Sequence, residues 1–419
     1  MLPVLEVDEP VSIHVSLDVV ALVAAIVGLG VGAQLLAAKY RVPSVLFLLL
    51  TGVAIGPEGL GLIPPDAAGD ALSTIVGVSV AIIIFEGTFR LEYEAIWKTS
   101  KAVSRMITIG AVIAFVGTAL TVRLLLEANW DIAFLVGALL VATGPTVIAP
   151  ILAVVPVREE VATTLEVEGI VNDVTAAVLA VVLFKAMTAQ QLAPGGYVWL
   201  FVQRLATGVI VGLVVAGVVW YLLTRVEHPS ETAPQTARLL VLAGAVIAFA
   251  AADSVFSEAG IVAAATAGFV LGSLELPYQE EILQFMRDET LLVLSFVFIT
   301  LAALLEFDEL LALGVAGLAV VAVLMAVIRP LAVFVSTVGV GFTTNERLFV
   351  SFVGPRGIIP ASVATLFAVR LQTAAPPSDP SGANVLLGTV FLAILVTVVI
   401  EAGLARQIAS VLGVTESEH

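Results

Sequence analysis

Apolar residues fill this chain in long blocks, and most of its charged residues gather between them. Thirteen such stretches can be marked, at roughly 17–38, 42–56, 69–90, 101–126, 131–154, 160–185, 197–224, 236–252, 258–274, 286–305, 308–338, 345–370 and 383–408. Most approach the ~20 residues a helix needs to cross a hydrocarbon layer of ~30 Å. Stretch two is short, and stretch ten begins in a charged segment. Because a lipid-embedded segment must satisfy its own backbone hydrogen bonds, the pattern predicts an all-α integral membrane protein with about 13 transmembrane helices. Tyr40, Trp97, Trp130, Tyr197, Trp199, Trp220 and Tyr221 fall at or near the ends of these stretches, as an interfacial aromatic belt requires.

The basic residues orient the chain. Connections after odd-numbered stretches, with the tail, hold Lys39, Arg41, Arg90, Lys98, Lys101, Arg105, Arg158, Arg225, Arg238, Arg287, Arg347 and Arg406; those after even-numbered stretches hold Arg123, Lys185 and Arg370. Cytoplasmic connections carry the excess of Lys and Arg. The C-terminus is therefore expected in the cytoplasm and the N-terminus outside, in a plasma membrane. Residues 1–16 form an extracellular segment, 17–408 the membrane domain and 409–419 a cytoplasmic tail. The acidic start, with Glu6, Asp8 and Glu9, lacks the basic region of a signal peptide, so the first stretch is expected to anchor the chain.

Composition narrows the chemistry. Of 419 residues, 60% are hydrophobic and 12% charged, with a mean hydropathy of +1.12, more apolar surface than a soluble domain could hide. There is no cysteine, so disulfides and thiolate chemistry are excluded. His14, His228 and His419 lie outside the apolar stretches, which leaves an intramembrane hydrolase without a His base or His-ligated metal. No enzyme activity and no cofactor are expected. A net charge of −16 argues against a nucleic-acid partner; it reflects either an acidic surface suited to high salt or ordinary acidic loops.

Stretch six breaks the apolar rule with Leu165-Glu166-Val167-Glu168-Gly169-Ile170-Val171-Asn172-Asp173-Val174-Thr175. A charge at the bilayer centre costs at least about 2.5–3.5 kcal/mol, which makes such a carboxylate a functional candidate. With a helix starting near Glu160, Asp173 lies about 20 Å along it, at mid-membrane. Glu168 and Asn172, four apart, share a face, while Asp173 points about 100° further round, toward the side of Glu166 and Gly169.

Stretches five and twelve echo one another. Gly144-Pro145-Thr146-Val147-Ile148-Ala149-Pro150 and Gly354-Pro355-Arg356-Gly357-Ile358-Ile359-Pro360 both read GPxxIxP. Two prolines five apart remove helix hydrogen bonds in mid-span, which lipid permits only where the freed groups are buried in protein. Each helix is expected to break there. The two run in opposite directions, the signature of inverted repeats whose broken helices cross and build an ion site; the alternative is two independent proline kinks. Arg204, Arg329 and Arg356 also lie within apolar runs. Arg356, about 14 Å from Arg347 along its helix, needs a partner at that depth, and Glu168 is the expected one. Arg204 either snorkels to the surface or faces a lateral interface.

With these residues in place the sequence resembles monovalent cation:proton antiporters of the sodium/proton exchanger superfamily, NhaP-like branch, over about residues 17–408. The likeness rests on Glu168-Gly169-Ile170-Val171-Asn172-Asp173, Thr143-Gly144-Pro145, Gly354-Pro355-Arg356-Gly357, Phe85-Glu86-Gly87, and Pro43 through Gly56-Pro57. It implies a homodimer in which a core of roughly 101–185 and 308–408 moves against a scaffold of roughly 17–90 and 197–305. Carried over residue by residue, it makes Asp173 the carboxylate that exchanges cation and proton, Thr143 an oxygen ligand from the broken helix, and Asn172 a hydrogen-bonding support. Glu168 and Arg356 become a structural ion pair. Glu86 matches a family motif or is an interfacial charge.

Two positions depart from the family pattern. Its usual Asp between Thr and Pro is Gly144, and the small hydroxyl residue often following the Glu is Gly169. Both losses remove oxygen ligands and leave Na⁺ against K⁺ open, with Thr146 or Thr175 as substitutes. The expected activity is electroneutral exchange of Na⁺ or Li⁺ for H⁺. The alternatives are K⁺ for H⁺, a channel, or a non-transporting sensor. Glu166 is a second proton carrier only if it reaches the cavity.

Overall fold

Helices cover most of each apolar stretch, and several extend into its polar flanks. The computed structural model describes residues 11–40, 44–56, 59–61, 70–91, 100–188, 194–225, 233–303, 307–373 and 380–415. Pro43, Pro57, Trp97 and His228, with the segments 1–10 and 416–419, lie outside the described residues. Among the described residues all regular structure is helical, apart from one isolated bridge between Val157 and Thr415.

In order, α1 is Val11–Tyr40, α2 Ser44–Ile55, α3 Asp70–Phe89, and α4 runs over 100–125. Stretch five is two half-helices, α5 (Trp130–Leu139) and α6 (Pro145–Val154). Then come α7 (Glu159–Thr188), α8 (Pro194–Arg225), α9 (Ala233–Asp253), α10 (Ala259–Gly272) and α11 (Gln279–Ala303). Stretch eleven divides at Leu313 into α12 (Phe307–Ala312) and α13, 314–336. Stretch twelve is again two half-helices, α14 (Thr344–Phe352) and α15 (Ile358–Thr373), before α16 closes the fold over 380–412. Seven helices among the described residues are long and apolar enough to cross a membrane; α2 and α10 are shorter apolar helices. The charged segment before stretch ten is helical too, since α11 begins at Gln279.

Three π turns interrupt long helices, at Met106–Gly110 in α4, Leu324–Ile328 in α13 and Val398–Ala402 in α16. The second has a legible cause. Pro330 lacks an N–H and crowds the preceding turn, and widening that turn keeps the helix continuous. Arg329 emerges directly after it.

The helices pack in two sets. One comprises α1–α3 and α8–α11, the other α4–α7 and α12–α16. Within the second set α7 is the central rod: 78% of its apolar window is buried, against 22% for that of α8 on the periphery. The side chains of Tyr40, Trp130, Trp199 and Tyr221 are exposed, as residues at a membrane interface would be.

Candidate functional site

The two helix breaks meet each other. Gly144 caps α6 in an extended conformation with Pro145 at its first turn, and Gly357 ends the break at 353–357. A Cβ on Gly144 would lie 2.4 Å from Gly357 Cα, and one on Gly357 would lie 2.7 Å from Gly144 Cα. No side chain fits at that crossing.

Breaking a helix frees backbone groups that cannot go unpaired in a dry interior, and five of them have partners across the breaks. The Gly144 N–H donates to Pro355 O at 2.8 Å. The Ala142 carbonyl accepts from Arg356 Nη1 at 2.8 Å, and the Val353 carbonyl from Arg329 Nη2 at 3.0 Å. Gly354 N–H donates to Glu401 Oε2 at 2.7 Å and Arg356 N–H to Thr397 Oγ1 at 3.1 Å. Pro355, between them, has no N–H to place.

The polar edge of α7 lies against this crossing. A Cβ on Gly169 would be 2.8 Å from Thr143 O, and one on Gly357 would be 3.4 Å from Asp173 Oδ2. Asp173, Asn172, Thr143, Glu168, Arg356 and Arg329 are all buried, Asp173 with 1% of its surface exposed. Asn172 Nδ2 donates to Glu168 Oε1 at 3.3 Å, as their four-residue spacing implies. Thr143 Oγ1, Asn172 Oδ1 and Asp173 Oδ1 are buried without a hydrogen-bond partner among the described residues. They are the oxygens left over once the structural bonds are made, and oxygen is what a hard monovalent cation takes in place of water. No cluster of three acidic or His side chains that could hold a resident metal occurs among the described residues.

The ion pair is not the expected one. Glu168 is held by Arg329, Nη1 to Oε1 and Nη2 to Oε2, the latter at 2.9 Å. Arg356 instead spans the crossing to Ala142. Depth along the helix made Arg356 the candidate, but depth does not fix azimuth. The π turn ahead of Arg329 sets its azimuth. Arg204 neither snorkels nor lies open on a lateral face: it is fully buried, donates to Leu200 O at 2.9 Å and stacks 5.7 Å above the Phe256 ring. The side chain of Thr146 lies outside the described ones, and Thr175 is half-buried.

Glu86 is buried rather than interfacial and pairs with Arg90 at 2.9 Å. Both line a small cleft, about 50 Å³ in volume, between the helix sets, with Glu166 and Ile170 of α7, Pro145 of α6 and Thr290 of α11. Glu166 thus reaches a cavity that extends to the helix break.

A profile described as "Sodium/hydrogen exchanger, transmembrane" matches residues 21–409. The chain belongs to that family. Among relatives of this exchanger, the Na(+)/H(+) antiporter 1 of Methanocaldococcus jannaschii is 28% identical over 399 residues, covering 89% of this chain and 91% of that protein. The K(+)/H(+) antiporter NhaP of Alkalimonas amylolytica is 26% identical, covering 79% of this chain and 57% of that protein. The K(+)/H(+) antiporter NhaP2 of Shewanella sp. strain ANA-3 is 27% identical, with 87% and 61% covered. The solved sodium proton antiporter MjNhaP1 of M. jannaschii at pH 8 superposes with a TM-score of 0.80 at 24% identity, covering 96% of the exchanger and 99% of that chain; it shares the fold.

One buried carboxylate of the exchanger escaped the sequence reading. Glu401, with 3% of its surface exposed, interrupts the apolar run Val398-Val399-Ile400 in the last stretch. The criterion that singled out Asp173, an acid deep in an apolar run, applies to it equally.

Proposed function

We propose that this exchanger carries Na⁺ against H⁺, one for one, by alternating access at Asp173. The observation that carries the reading is the position of Asp173, buried on α7 against the crossing of the two breaks, with Oδ1 unpartnered among the described residues. A carboxylate there can hold one proton or one cation and releases either only when water reaches it. The empty, charged form is held back, because moving a bare carboxylate past an apolar barrier costs several kcal/mol; this couples the two fluxes. Glu168, with both carboxylate oxygens held by Arg329, is committed to that pair and does not cycle. Thr143 supplies oxygen from the break, Asn172 steadies Glu168, and the cleft lined by Glu86 and Glu166 is the cytoplasmic approach.

In this reading the thirteen stretches cross the plasma membrane with the N-terminus outside and the C-terminus in the cytoplasm. The set containing α7 moves against the other, which forms the contact of a homodimer. Support comes from the family, from the sequence of basic connections and from the two packing sets. Transport of Na⁺, Li⁺ and K⁺ against a pH gradient in proteoliposomes tests it; a cation flux that continues without proton counterflow would make the protein a channel.

A second reading, K⁺ for H⁺, has its own support. Gly144 and Gly169 remove two oxygen ligands from the family's pattern, and two of the relatives are named K(+)/H(+) antiporters. The same flux assay separates them by which cation dissipates the gradient at the lower concentration.

A further inference from the structure

Two of the half-helices that carry the breaks need an outside support. α6 runs from the crossing to Val154, and α14 runs from Thr344 back to the second break. At 10 and 9 residues, each is shorter than the ~12–15 residues at which a helix begins to stand alone. α6 packs chiefly on α7, and α14 on α13 and the end of α16, so each rests on a different neighbour. Yet their relative position must be set, because no side chain fits between Gly144 and Gly357.

Their far ends are joined. Arg158, just beyond the end of α6, places Nε 3.3 Å from Glu346 Oε1 and Nη2 2.9 Å from Glu160 Oε2, and its guanidinium lies 5.8 Å from the centre of the Phe342 ring. Glu346, 8% exposed, uses its other oxygen to cap α14, accepting from Thr343 N at 2.7 Å and Thr343 Oγ1 at 3.0 Å. The capping box accounts for Oε2; Oε1 is left to Arg158. Both charges suit the helix ends they sit on, a cation past the C-terminus of α6 and an anion in the first turn of α14. The end of the chain closes the cluster from the other side. Gly413, at φ 63, turns the backbone out of α16. The Leu412 carbonyl accepts from Asn345 Nδ2 at 2.8 Å, and Thr415 pairs with Val157, the neighbour of Arg158, in the isolated antiparallel bridge.

We propose that Arg158 is a positioning residue for exchange: with Glu346 and the segment 412–415 it clasps the far ends of α6 and α14, and so holds the crossing, with Thr143 beside it, in register. The clasp acts through the length of α6, about 15 Å. The proposal rests on the crossing being the exchange site.

The test follows amide hydrogen exchange and Na⁺-driven proton transport in the full chain for the parent, Arg158→Gln, Glu346→Gln, the double variant and Asp173→Asn. Glu346→Gln keeps a side-chain acceptor for the capping box and loses the charge. Each single variant is expected to speed hydrogen exchange at residues 143–148 and 353–357 relative to α8. Each should also raise the KM for Na⁺ about two- to fivefold, the scale of one partly exposed ion pair, with the maximal rate retained. The double variant should match the singles rather than compound them, since all three open one clasp. A parental KM, or crossing amides that exchange as in the parent, overturns the proposal and makes the cluster a local cap, while an inactive Asp173→Asn leaves the exchange reading standing. An Asp173→Asn that still transports removes that reading instead, and the crossing amides then decide the clasp alone. Should Arg158→Gln fail to fold, Glu346→Gln carries both readouts with the same two outcomes.

Discussion

Arg329 grips both carboxylate oxygens of Glu168 with its two terminal nitrogens, and its Nη2 also donates to the Val353 carbonyl at 3.0 Å. One guanidinium thus joins α7, α13 and the second helix break. Its Nε lies where a side chain on Gly354 would begin, 2.7 Å from that Cβ position. Removing one partner of a buried pair strands a charge and costs about 3–5 kcal/mol. We expect Glu168→Ala and Arg329→Ala each to lower the detergent melting temperature strongly, and the double variant to cost less than the two singles added. Glu168 and Arg356 should show a smaller coupling. Equal coupling for both pairs would contradict the geometry.

Asp173→Asn should abolish exchange in a folded protein. The amide is nearly isosteric but cannot bind and release a proton. Purified variant with a parental melting curve and no cation-driven proton flux is the expected result; parental flux would rule Asp173 out.

Gly144 stands where the family pattern has a carboxylate, and the crossing leaves no room for a simple restoration. A Cβ there would be 2.4 Å from Gly357 Cα and 2.8 Å from Gly357 N. Both neighbours are backbone, so the crossing must open. Gly144→Ala is expected to destabilise by about 1–3 kcal/mol, the usual cost of overpacking, and to slow transport. Gly144→Asp should be no better. Melts and flux for the two variants check this, and faster Na⁺ exchange by Gly144→Asp would show that the missing ligand matters more than the contact.

Exchange should be electroneutral. Asn172 occupies the position next to Asp173 where a second carboxylate would add a second charge, and Glu168 is locked by Arg329. Voltage does about 2.3 kcal/mol of work per charge per 100 mV, so a one-for-one cycle has a reversal point independent of potential. The competing carrier is Glu166, which lines the cleft. A reversal point that shifts with clamped potential in the parent, and ceases to shift in Glu166→Gln, would make the stoichiometry two protons per cation.

Sequence alone determined the class of protein and the helices that matter. Length and apolarity dictate helices because lipid leaves the backbone no other partner, and the echo of GPxxIxP marked both breaks because proline cannot continue a helix at any depth. The acid in mid-stretch was legible for the same reason: burying a charge is expensive enough that it is visible without coordinates. Tertiary structure decided the partners. Arg329 rather than Arg356 meets Glu168, because a π turn rotates the helix ahead of it by an amount no periodicity encodes. Glu86 proved buried, because α3 packs against α10 and α11. Glu401 acquired a role only when α16 was laid across the second break, bringing together residues 47 apart in the chain. Periodicity fixes the depth of a side chain along its own helix; which neighbour it faces depends on the rotation of that helix against the others, and that is set by packing across the whole bundle.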